Sequence, residues 1–293
     1  MLDRELVEAV KLAKEAGDLL MEIYATDFDV DFKGEKNPVT EADRKVNELL
    51  VRRLRETFPG DGVVAEESRD TSDSIRRGRC WYIDPLDGTK EFIAKNGEFA
   101  VMIGLAIEGE ARLGVVYRPV GDRLYRAVVG DSAFVDVGDR TFALKGTVVS
   151  DPKELRLVVS RSHRSESTDA LVKRLQIQHE TTSGSVGLKV GLIAQRDADL
   201  YVHLSGHSWA WDACAPDAIL RSAGGRFTDL GGRSFVYGGD DLRSRRGILA
   251  CNNHDTFQNV IEVVSAIAEE NGLLHEPDEE DEASSDDTPD EEE

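Results

Sequence analysis

The sequence predicts a layered α/β fold of the α+β type, and two features of the chain favour it. Charged stretches whose apolar residues recur at helical spacing lie near the N-terminus and again in the second half of the chain. Beside them, short apolar runs end at turn residues or at acidic residues, as strands do. Helices and strands that alternate in this way bury their apolar faces as stacked layers.

Two helices are predicted first. In residues 4–24 the apolar side chains share one helical face, opposite Glu, Lys and Asp. A second helix is expected after Thr40, which can cap it, and it should end at Pro59 and Gly60. Thr40 and Asp43 also have the spacing of a capping box, so local stability alone can explain Asp43.

The next apolar runs predict strands. Residues 62–67 (GVVAEE) and 80–88 (CWYIDPLDG) each stop at acidic residues, which predicts strands that deliver carboxylates from their C-terminal ends. Runs at 98–107, 111–120 and 123–130 are separated by turn residues. This pattern favours an antiparallel meander.

The second half alternates again. Strands are predicted at 155–162, 199–204 and 247–252, and helices at Glu166–Leu175, 188–195, 212–223 and 257–269. We find no internal repeat and no Pro/Gly/Ser-rich linker. We therefore expect one catalytic domain over residues 1–275, with halves of about 1–150 and 151–275, followed by a tail over 276–293.

The tail dominates the charge of the chain. The formal net charge is −21, and residues 276–293 hold 12 acidic residues with no Lys or Arg, so the remainder carries −9. Such a segment has too few apolar groups to offset the entropy of ordering, which predicts disorder. The tail could serve to keep the protein soluble or to dock on another molecule, and the sequence leaves both roles open. The acidic balance argues against general nucleic-acid binding.

Location and thiol chemistry follow from what the sequence lacks. No apolar run approaches the ~18 residues of a membrane span, and residues 1–20 lack the apolar core of a signal peptide. We expect a cytoplasmic protein without stable membrane insertion, whose oligomeric state is open. Cys80, Cys214 and Cys251 are far apart, which favours three reduced, buried thiols over a disulfide framework or a zinc site.

Acidic residues at the ends of apolar elements predict a cation site. Asp84 and Asp87 are separated by Pro85-Leu86, where a sharp turn can bring both carboxylates to one point. Glu66 ends the preceding strand and Asp212 begins a predicted helix. Oxygen-only ligands of this kind suit Mg²⁺. A plain turn followed by a helix-capping residue is the alternative for residues 84–89.

The motifs together resemble the lithium-sensitive inositol monophosphatase superfamily. The resemblance covers about residues 5–255 and is carried by NPVTEAD (37–43), VVAEES (63–68), WYIDPLDGTKEF (81–92) and WDACAPDAILRSAGG (211–225). DPLDGT with a downstream WD-x-x-A is a specific combination. The resemblance implies alternating αβαβα layers. Ala65 departs from the Ser or Gly usual there, and the acidic tail is no part of the family's pattern.

Within the superfamily, the chain is most similar to the 3'(2'),5'-bisphosphate nucleotidases, the CysQ-type phosphatases. DGTKEFI follows the metal motif, LVVSRSHRS (157–165) resembles the SRSH loop of this branch, and SVGLK (185–189) resembles its segment ending in Leu-Lys. Gly and Ser are shifted in residues 181–189 relative to the bacterial GSSLK pattern. The branch hydrolyses 3'-phosphoadenosine 5'-phosphate, so the implied partner is a small nucleotide.

The resemblance also implies roles for matching residues. The implied metal ligands, for two or three Mg²⁺ ions per site, are Glu66, Asp84, Leu86 (through its carbonyl), Asp87 and Asp212. Asp43 and Thr89 match the pair that orients and deprotonates the attacking water. The implied substrate contacts are Glu66, Leu86, Asp87, Gly88, Thr89, His163, Lys189 and Asp212.

The implied reaction is in-line attack of a metal-activated water on a phosphomonoester, without a covalent enzyme intermediate. Cys214 and Ser160 then have no catalytic duty. Alternatives within the superfamily are phosphatases of inositol 1-phosphate, fructose 1,6-bisphosphate or NADP. An inactive nucleotide sensor is a further alternative, and the complete set of acidic residues argues against it.

Overall fold

The computed structural model describes residues 2–32, 38–68, 78–162, 164–239 and 241–275. The helices in these ranges are α1 (Asp3–Tyr24), α2 (Glu41–Thr57), α3 (Thr89–Ile93), α4 (Glu166–Leu175), α5 (Val186–Ala194), α6 (Ala210–Ser222) and α7 (His254–Glu270). The strands of the first half are β1 (Val30–Phe32), β2 (Pro38–Thr40), β3 (Gly62–Ala65), β4 (Arg79–Asp87), β5 (Ala100–Ile107), β6 (Glu110–Arg118), β7 (Arg123–Val128), β8 (Ala133–Val137) and β9 (Arg140–Ala143). The strands of the second half are β10 (Arg156–Ser160), β11 (His179–Ser183), β12 (Leu200–His203), β13 (Arg226–Thr228) and β14 (Ile248–Cys251).

A seven-stranded sheet organises the first half. Its order is β3-β4-β5-β6-β7-β8-β9, and only the β3–β4 pair is parallel. The predicted meander over β5, β6 and β7 is confirmed. No pattern in the sequence predicted β8 and β9, because β9 is exposed along its whole length and β8 buries only alternate residues at its start. These two segments form strands because β8 pairs with the edge of β7, and β9 pairs with the edge of β8.

A mixed five-stranded sheet organises the second half, in the order β11-β10-β12-β14-β13. The predicted strands β10, β12 and β14 form its centre. Strands β11 and β13 were not predicted. Strand β11 has the polar sequence HETTS with four exposed residues, so it lacks an apolar pattern. Strand β13 has only three residues, which is too short for a pattern to be seen.

Helices and sheets alternate as five layers. One apolar cluster joins α1 and α2 to one face of the seven-stranded sheet. A second cluster packs α5 and α6 between the two sheets. A third joins α4 and α7 to the outer face of the five-stranded sheet. The αβαβα arrangement implied by the resemblance is therefore confirmed.

Glycine lets α6 approach the seven-stranded sheet closely. A Cβ atom on Gly114 would lie 2.2 Å from the carbonyl oxygen of Ala215, so no larger residue fits at this position of β6. The contact fixes α6 against β6, which is two strands from β4 in the sheet. It thereby brings the first turn of α6, with Asp212, toward the acidic end of β4.

The predicted start of α6 was wrong by two residues. The helix begins at Ala210, and Asp212 is its third residue rather than its first. A residue at this place can reach back to cap the helix, and Asp212 does so. Helix α5 likewise begins at Val186, ahead of the predicted residue 188.

The cysteines, the helices and the tail bear on the predictions about the chain as a whole. Cys80, Cys214 and Cys251 are all free and buried, as expected. In the described ranges, no helix has both the length and the apolar character needed to cross a bilayer. The predicted disordered tail at 276–293 lies outside the described residues.

Candidate active site

The carboxyl ends of β3 and β4 form the floor of the candidate site. Because these two strands are parallel, Glu66 after β3 and Asp84 near the end of β4 lie at the same edge of the sheet. The pairing of β4 with β5 shifts register between Asp84 and Asp87. This irregularity spans Pro85-Leu86, where Asp84 Oδ1 accepts a hydrogen bond from the backbone N of Leu86 at 2.9 Å. The strand therefore continues through Asp87 with an irregularity where the sequence predicted a sharp turn, and the chain turns after it, at Gly88.

Helix α3 leaves this edge directly. It begins at Thr89, and Gly88 before it has φ +98°. This left-handed conformation favours glycine. A Cβ atom on Gly88 would also lie 3.0 Å from the carbonyl oxygen of Glu98. The sequence Asp-Gly-Thr thus allows the chain to turn from β4 into α3 without separating Asp87 from Thr89.

Asp43 joins α2 to this turn. Its Oδ2 accepts hydrogen bonds from the backbone N of Thr40 at 2.7 Å and from Thr40 Oγ1 at 2.6 Å. Its Oδ1 accepts one from Thr89 Oγ1 at 3.0 Å. Burial raises the pKa of Asp43, and the hydrogen bonds from Thr40 and Thr89 oppose the rise. The predicted capping box is confirmed, and the second oxygen faces Thr89.

Asp212 approaches the same edge from α6. Its Oδ2 accepts a hydrogen bond from the backbone N of Trp209 at 2.8 Å. Desolvation raises the pKa of Asp212, and the nearby carboxylates of Asp87 and Glu66 raise it further. Asp212 is therefore near enough to Asp87 and Glu66 to interact electrostatically, and a role for the three as joint metal ligands stays a prediction.

The same effect governs the two aspartates of β4. Burial is the largest cause of the raised pKa of Asp84, and Glu66, Asp87 and Asp212 add to it. Burial also raises the pKa of Asp87, against the opposing charge of Lys189. Like charges in a desolvated site disfavour ionisation of one another. A bound cation would remove this cost, and an all-oxygen donor set suits Mg²⁺.

The carboxylates are not arranged as a ready coordination shell. Among the residues that the structure describes, no three Asp, Glu, His or Cys side chains form such a group. Asp84, Asp87 and Asp212 each direct one oxygen at a protein donor instead. The donor types and their proximity fit a hard cation, and each aspartate keeps a second oxygen.

The first turn of α5 holds Asp87. Asp87 Oδ2 accepts hydrogen bonds from Ser185 Oγ at 2.5 Å and from the backbone N of Gly187 at 3.0 Å. Ser185 also caps α5 and has φ +24°, a strained value for a residue with a side chain. Strain of this kind persists only where the surroundings enforce it. No local pattern predicted this link between α5 and β4.

Lys189 lies in the interior behind this turn. Its side chain is 3% exposed, and its Nζ donates a hydrogen bond to the Gly184 carbonyl at 2.6 Å. The ammonium also lies 5.1 Å from the ring centroid of Tyr201. Burial lowers the pKa of Lys189 to about 8, although Asp87 and Glu91 act in the opposite direction. The predicted contact between Lys189 and a nucleotide remains a prediction, and the structure adds its contacts inside the protein.

A salt bridge supports the chain at residue 184. Arg161 donates two hydrogen bonds to Glu98, both at 2.7 Å, and Glu98 also accepts one from the backbone N of Gly184 at 2.8 Å. Ser162 donates a short hydrogen bond to the buried Glu91. Sequence reasoning did not single out these acidic residues, because a lone Glu in a charged stretch is usually a solvated one. His163 lies outside the described residues.

Known proteins resemble this chain over most of its length. The sequence profile of the Inositol monophosphatase family matches residues 1–269. The 3'(2'),5'-bisphosphate nucleotidase CysQ of Escherichia coli O157:H7 is 36% identical over 235 residues, which is 79% of this chain and 93% of that protein. CysQ of Buchnera aphidicola is 32% identical over 80% of this chain and 88% of its own length.

Solved structures show the same architecture. CysQ from Bacteroides thetaiotaomicron superposes with a TM-score of 0.74 at 30% identity, covering 87% of this chain and 99% of that one. An IMPase from Thermotoga maritima superposes with a TM-score of 0.75 at 25% identity, covering 91% and 99%. The fold is therefore shared with these proteins.

Proposed function

Because the chain belongs to the inositol monophosphatase family, we propose that it is a Mg²⁺-dependent 3'(2'),5'-bisphosphate nucleotidase. Its reaction is hydrolysis of the 3'-phosphate of adenosine 3',5'-bisphosphate to AMP and phosphate. Metal dependence is general in this family. The nucleotide is favoured over inositol 1-phosphate by the identity to relatives named CysQ, which reaches 36%.

One observation carries the proposal. Carboxylates from the end of β3, from β4 and from α6 lie near the hydrogen-bonded pair of Asp43 and Thr89, and the neighbouring carboxylates raise the pKa of Asp84 and of Asp212. Without a cation, such a cluster costs free energy. Two of its members, Asp84 and Asp87, are buried, and a carboxylate cluster in such a position is expected of a cation site.

The proposed ligands are the five predicted from the sequence, for two or three Mg²⁺ ions: Glu66, Asp84, the Leu86 carbonyl, Asp87 and Asp212. When bound, Mg²⁺ supplies positive charge that offsets the charge on phosphoryl oxygens and makes a water molecule more acidic. Asp87 is held for this role by Ser185 and Gly187. Asp212 is held by Trp209.

The chain's own acid–base residues are Asp43 and Thr89. Thr89 Oγ1 donates to Asp43 Oδ1, so the threonine hydroxyl keeps its lone pairs free to accept a hydrogen bond from water. A proton that leaves the water can pass to Thr89 Oγ1 as the threonine proton passes to Asp43. The raised pKa of Asp43 makes it a better proton acceptor than an ordinary aspartate. The backbone N–H groups of Gly88 and Thr89 are the proposed phosphate donors.

A phosphate-release panel tests the proposal. The chain is assayed with Mg²⁺ against adenosine 3',5'-bisphosphate, inositol 1-phosphate, fructose 1,6-bisphosphate and NADP. The bisphosphate is expected to have the highest kcat/KM. A preference for inositol 1-phosphate would place the enzyme in another branch of the family, and activity on none of the four would favour a nucleotide sensor.

A further inference from the structure

An exposed arginine lies behind the residue that presents Asp212. We propose that Arg243 is a positioning residue, which holds Trp209 and through it the Asp212 carboxylate. The inference rests on the proposed function, in which Asp212 is a metal ligand. None of the motifs that carry the family resemblance includes Arg243 or Trp209.

The backbone of residues 242–244 clamps the start of α6. Trp209 and Arg243 form an antiparallel bridge. On either side of it, the backbone N of Ala210 donates to the Leu242 carbonyl at 2.8 Å, and the backbone N of Ser244 donates to the Ser208 carbonyl at 2.7 Å. These bonds fix where the chain enters the helix, and hence where the helix N-terminus points.

Side chains reinforce the clamp. The Arg243 guanidinium carbon lies 5.1 Å from the centroid of the Trp209 ring. The Trp209 ring stacks on Trp211, with centroids 4.9 Å apart and planes inclined by 7°. A guanidinium over an indole face is held by the charge distribution of the ring. Arg243, Trp209 and Trp211 therefore form a connected stack beside Asp212.

The link to the carboxylate is a reciprocal pair of hydrogen bonds. The backbone N of Trp209 donates to Asp212 Oδ2 at 2.8 Å, and the backbone N of Asp212 donates to the Trp209 carbonyl at 3.1 Å. Trp209 occupies the capping position of α6 without a side-chain hydrogen bond of its own, so Asp212 supplies the cap. Any shift of Trp209 is passed on to the carboxylate.

The test compares Arg243→Ala with a matched control. Arg226 places its guanidinium carbon at the same 5.1 Å from the Phe257 ring, in a pair remote from Asp212. Arg226→Ala therefore removes a cation–π contact of the same length, to a phenyl ring, without touching the clamp. Mn²⁺ binding is measured by electron paramagnetic resonance of the free ion, and the Mg²⁺ concentration for half-maximal activity is measured in parallel.

Arg243→Ala is expected to weaken Mn²⁺ binding and to raise the Mg²⁺ requirement by about 3- to 5-fold, the factor that an exposed cation–π contact carries. At saturating Mg²⁺, kcat and the nucleotide KM should stay within about 2-fold of wild type, since a positioning residue touches no substrate. Arg243→Lys should restore most of the metal affinity, because lysine also stacks on indole. Arg226→Ala should leave the metal affinity unchanged.

Asp212→Asn distinguishes a failure of the positioning role of Arg243 from a failure of the assignment of Asp212 as a metal ligand. Unchanged Mn²⁺ affinity in Arg243→Ala, with weakened affinity in Asp212→Asn, would overturn the positioning role alone. Unchanged affinity in Asp212→Asn would overturn the assignment of Asp212 as a ligand and the proposal with it. Equal losses of Mn²⁺ affinity in Arg243→Ala and Arg226→Ala would also overturn the positioning role of Arg243, because the effect would then be one of general stability.

Discussion

Thr89 Oγ1 lies 3.0 Å from Asp43 Oδ1, which joins α3 to α2 across 46 residues of sequence. The other oxygen of Asp43 caps α2 through Thr40. The sequence left two explanations open for Asp43, a helix cap and a proton acceptor. The structure confirms the cap and leaves one carboxylate oxygen directed at the edge where the acidic cluster lies.

Asp43→Asn separates these two roles. Its side-chain oxygen can still accept from Thr40, while its NH₂ group would face Thr89 and reverse that hydrogen bond. Asparagine caps helices well, so the free energy of unfolding should change by less than ~1 kcal/mol. The kcat for adenosine 3',5'-bisphosphate should fall by about 10² or more, because the proton acceptor is lost.

Ser165→Ala is the matched control for Asp43→Asn. Ser165 caps α4, accepting a hydrogen bond from the backbone N of Thr168. Its removal should cost about 1 kcal/mol of stability with kcat unchanged. Urea unfolding and steady-state kinetics on both variants check the pair. A nearly normal kcat in Asp43→Asn would show that Asp43 is only a cap.

The sequence predicted the strands that carry an apolar pattern of their own and missed those that depend on pairing with a neighbour. The strands β4, β5 and β6 are buried almost throughout, and their apolar runs are legible without any tertiary information. Strand β11 is polar and exposed, and it is a strand only because β10 offers it a parallel edge. Pairing of this kind depends on distant residues and leaves no trace in composition.

The candidate site also has a part that a local motif predicts and a part that depends on contacts between distant residues. Asp84, Asp87 and Thr89 belong to one short motif, so their proximity could be predicted from a turn. The link from Asp87 to Ser185 joins residues 98 positions apart and depends on the packing of α5 between the sheets. Lys189 was expected to reach a ligand, and no local pattern indicated that its ammonium would point at the Gly184 carbonyl.

Metal binding should stabilise the protein in a pH-dependent way. Desolvation and mutual repulsion raise the pKa of Asp84 and of Asp212, so protons compete with the cation as pH falls. Saturating Mg²⁺ should raise Tm by roughly 5 °C at pH 8 and by less at pH 5. EDTA should abolish activity. Differential scanning calorimetry measures the shift, and Asp84→Asn should reduce it.

An equal Mg²⁺-induced shift at both pH values would argue that the cation binds elsewhere. Ca²⁺ is a suitable control ion, because it is larger and tolerates irregular coordination. It should stabilise the protein without supporting turnover. Full activity in a chelator would remove the metal from the mechanism.

Asp217 should make the protein less stable as pH rises. It is buried in α6 and accepts a hydrogen bond from the Tyr237 hydroxyl at 3.1 Å. Its Oδ1 has no hydrogen-bond partner among the described residues and lies 3.9 Å from Arg221 Nη1, whose charge opposes the rise in its pKa. Burial raises its pKa from 3.8 to about 7. A carboxyl with a raised folded-state pKa binds protons more tightly when folded, so its contribution is complete below pH 4 and is lost as pH approaches 7.

Asp217→Asn removes this titration and preserves the acceptor for Tyr237. Relative to the variant, wild type should lose on the order of 2 kcal/mol of unfolding free energy between pH 5 and pH 8. Urea unfolding in EDTA at several pH values measures the difference without a contribution from metal. A difference that does not vary with pH would show that Asp217 is charged throughout this range.

The last prediction concerns Lys189 and the choice of substrate. The family resemblance implies that Lys189 contacts the nucleotide, and a contact with its second phosphate would make Lys189→Ala harmful only to substrates that carry one. The structure places the ammonium on the Gly184 carbonyl, next to the serine that holds Asp87. Its positive charge also opposes the raised pKa of Asp87.

We therefore expect Lys189→Ala to lower kcat/KM by about 10-fold or more for adenosine 3',5'-bisphosphate and for adenosine 3'-monophosphate alike, since a hydrogen bond to a charged group contributes ~1.5–3 kcal/mol. The two substrates differ only in the 5'-phosphate. Lys189→Met, which keeps most of the side-chain volume, separates loss of charge from loss of packing. A loss confined to the bisphosphate would assign Lys189 to the 5'-phosphate, because an internal role cannot distinguish the two nucleotides.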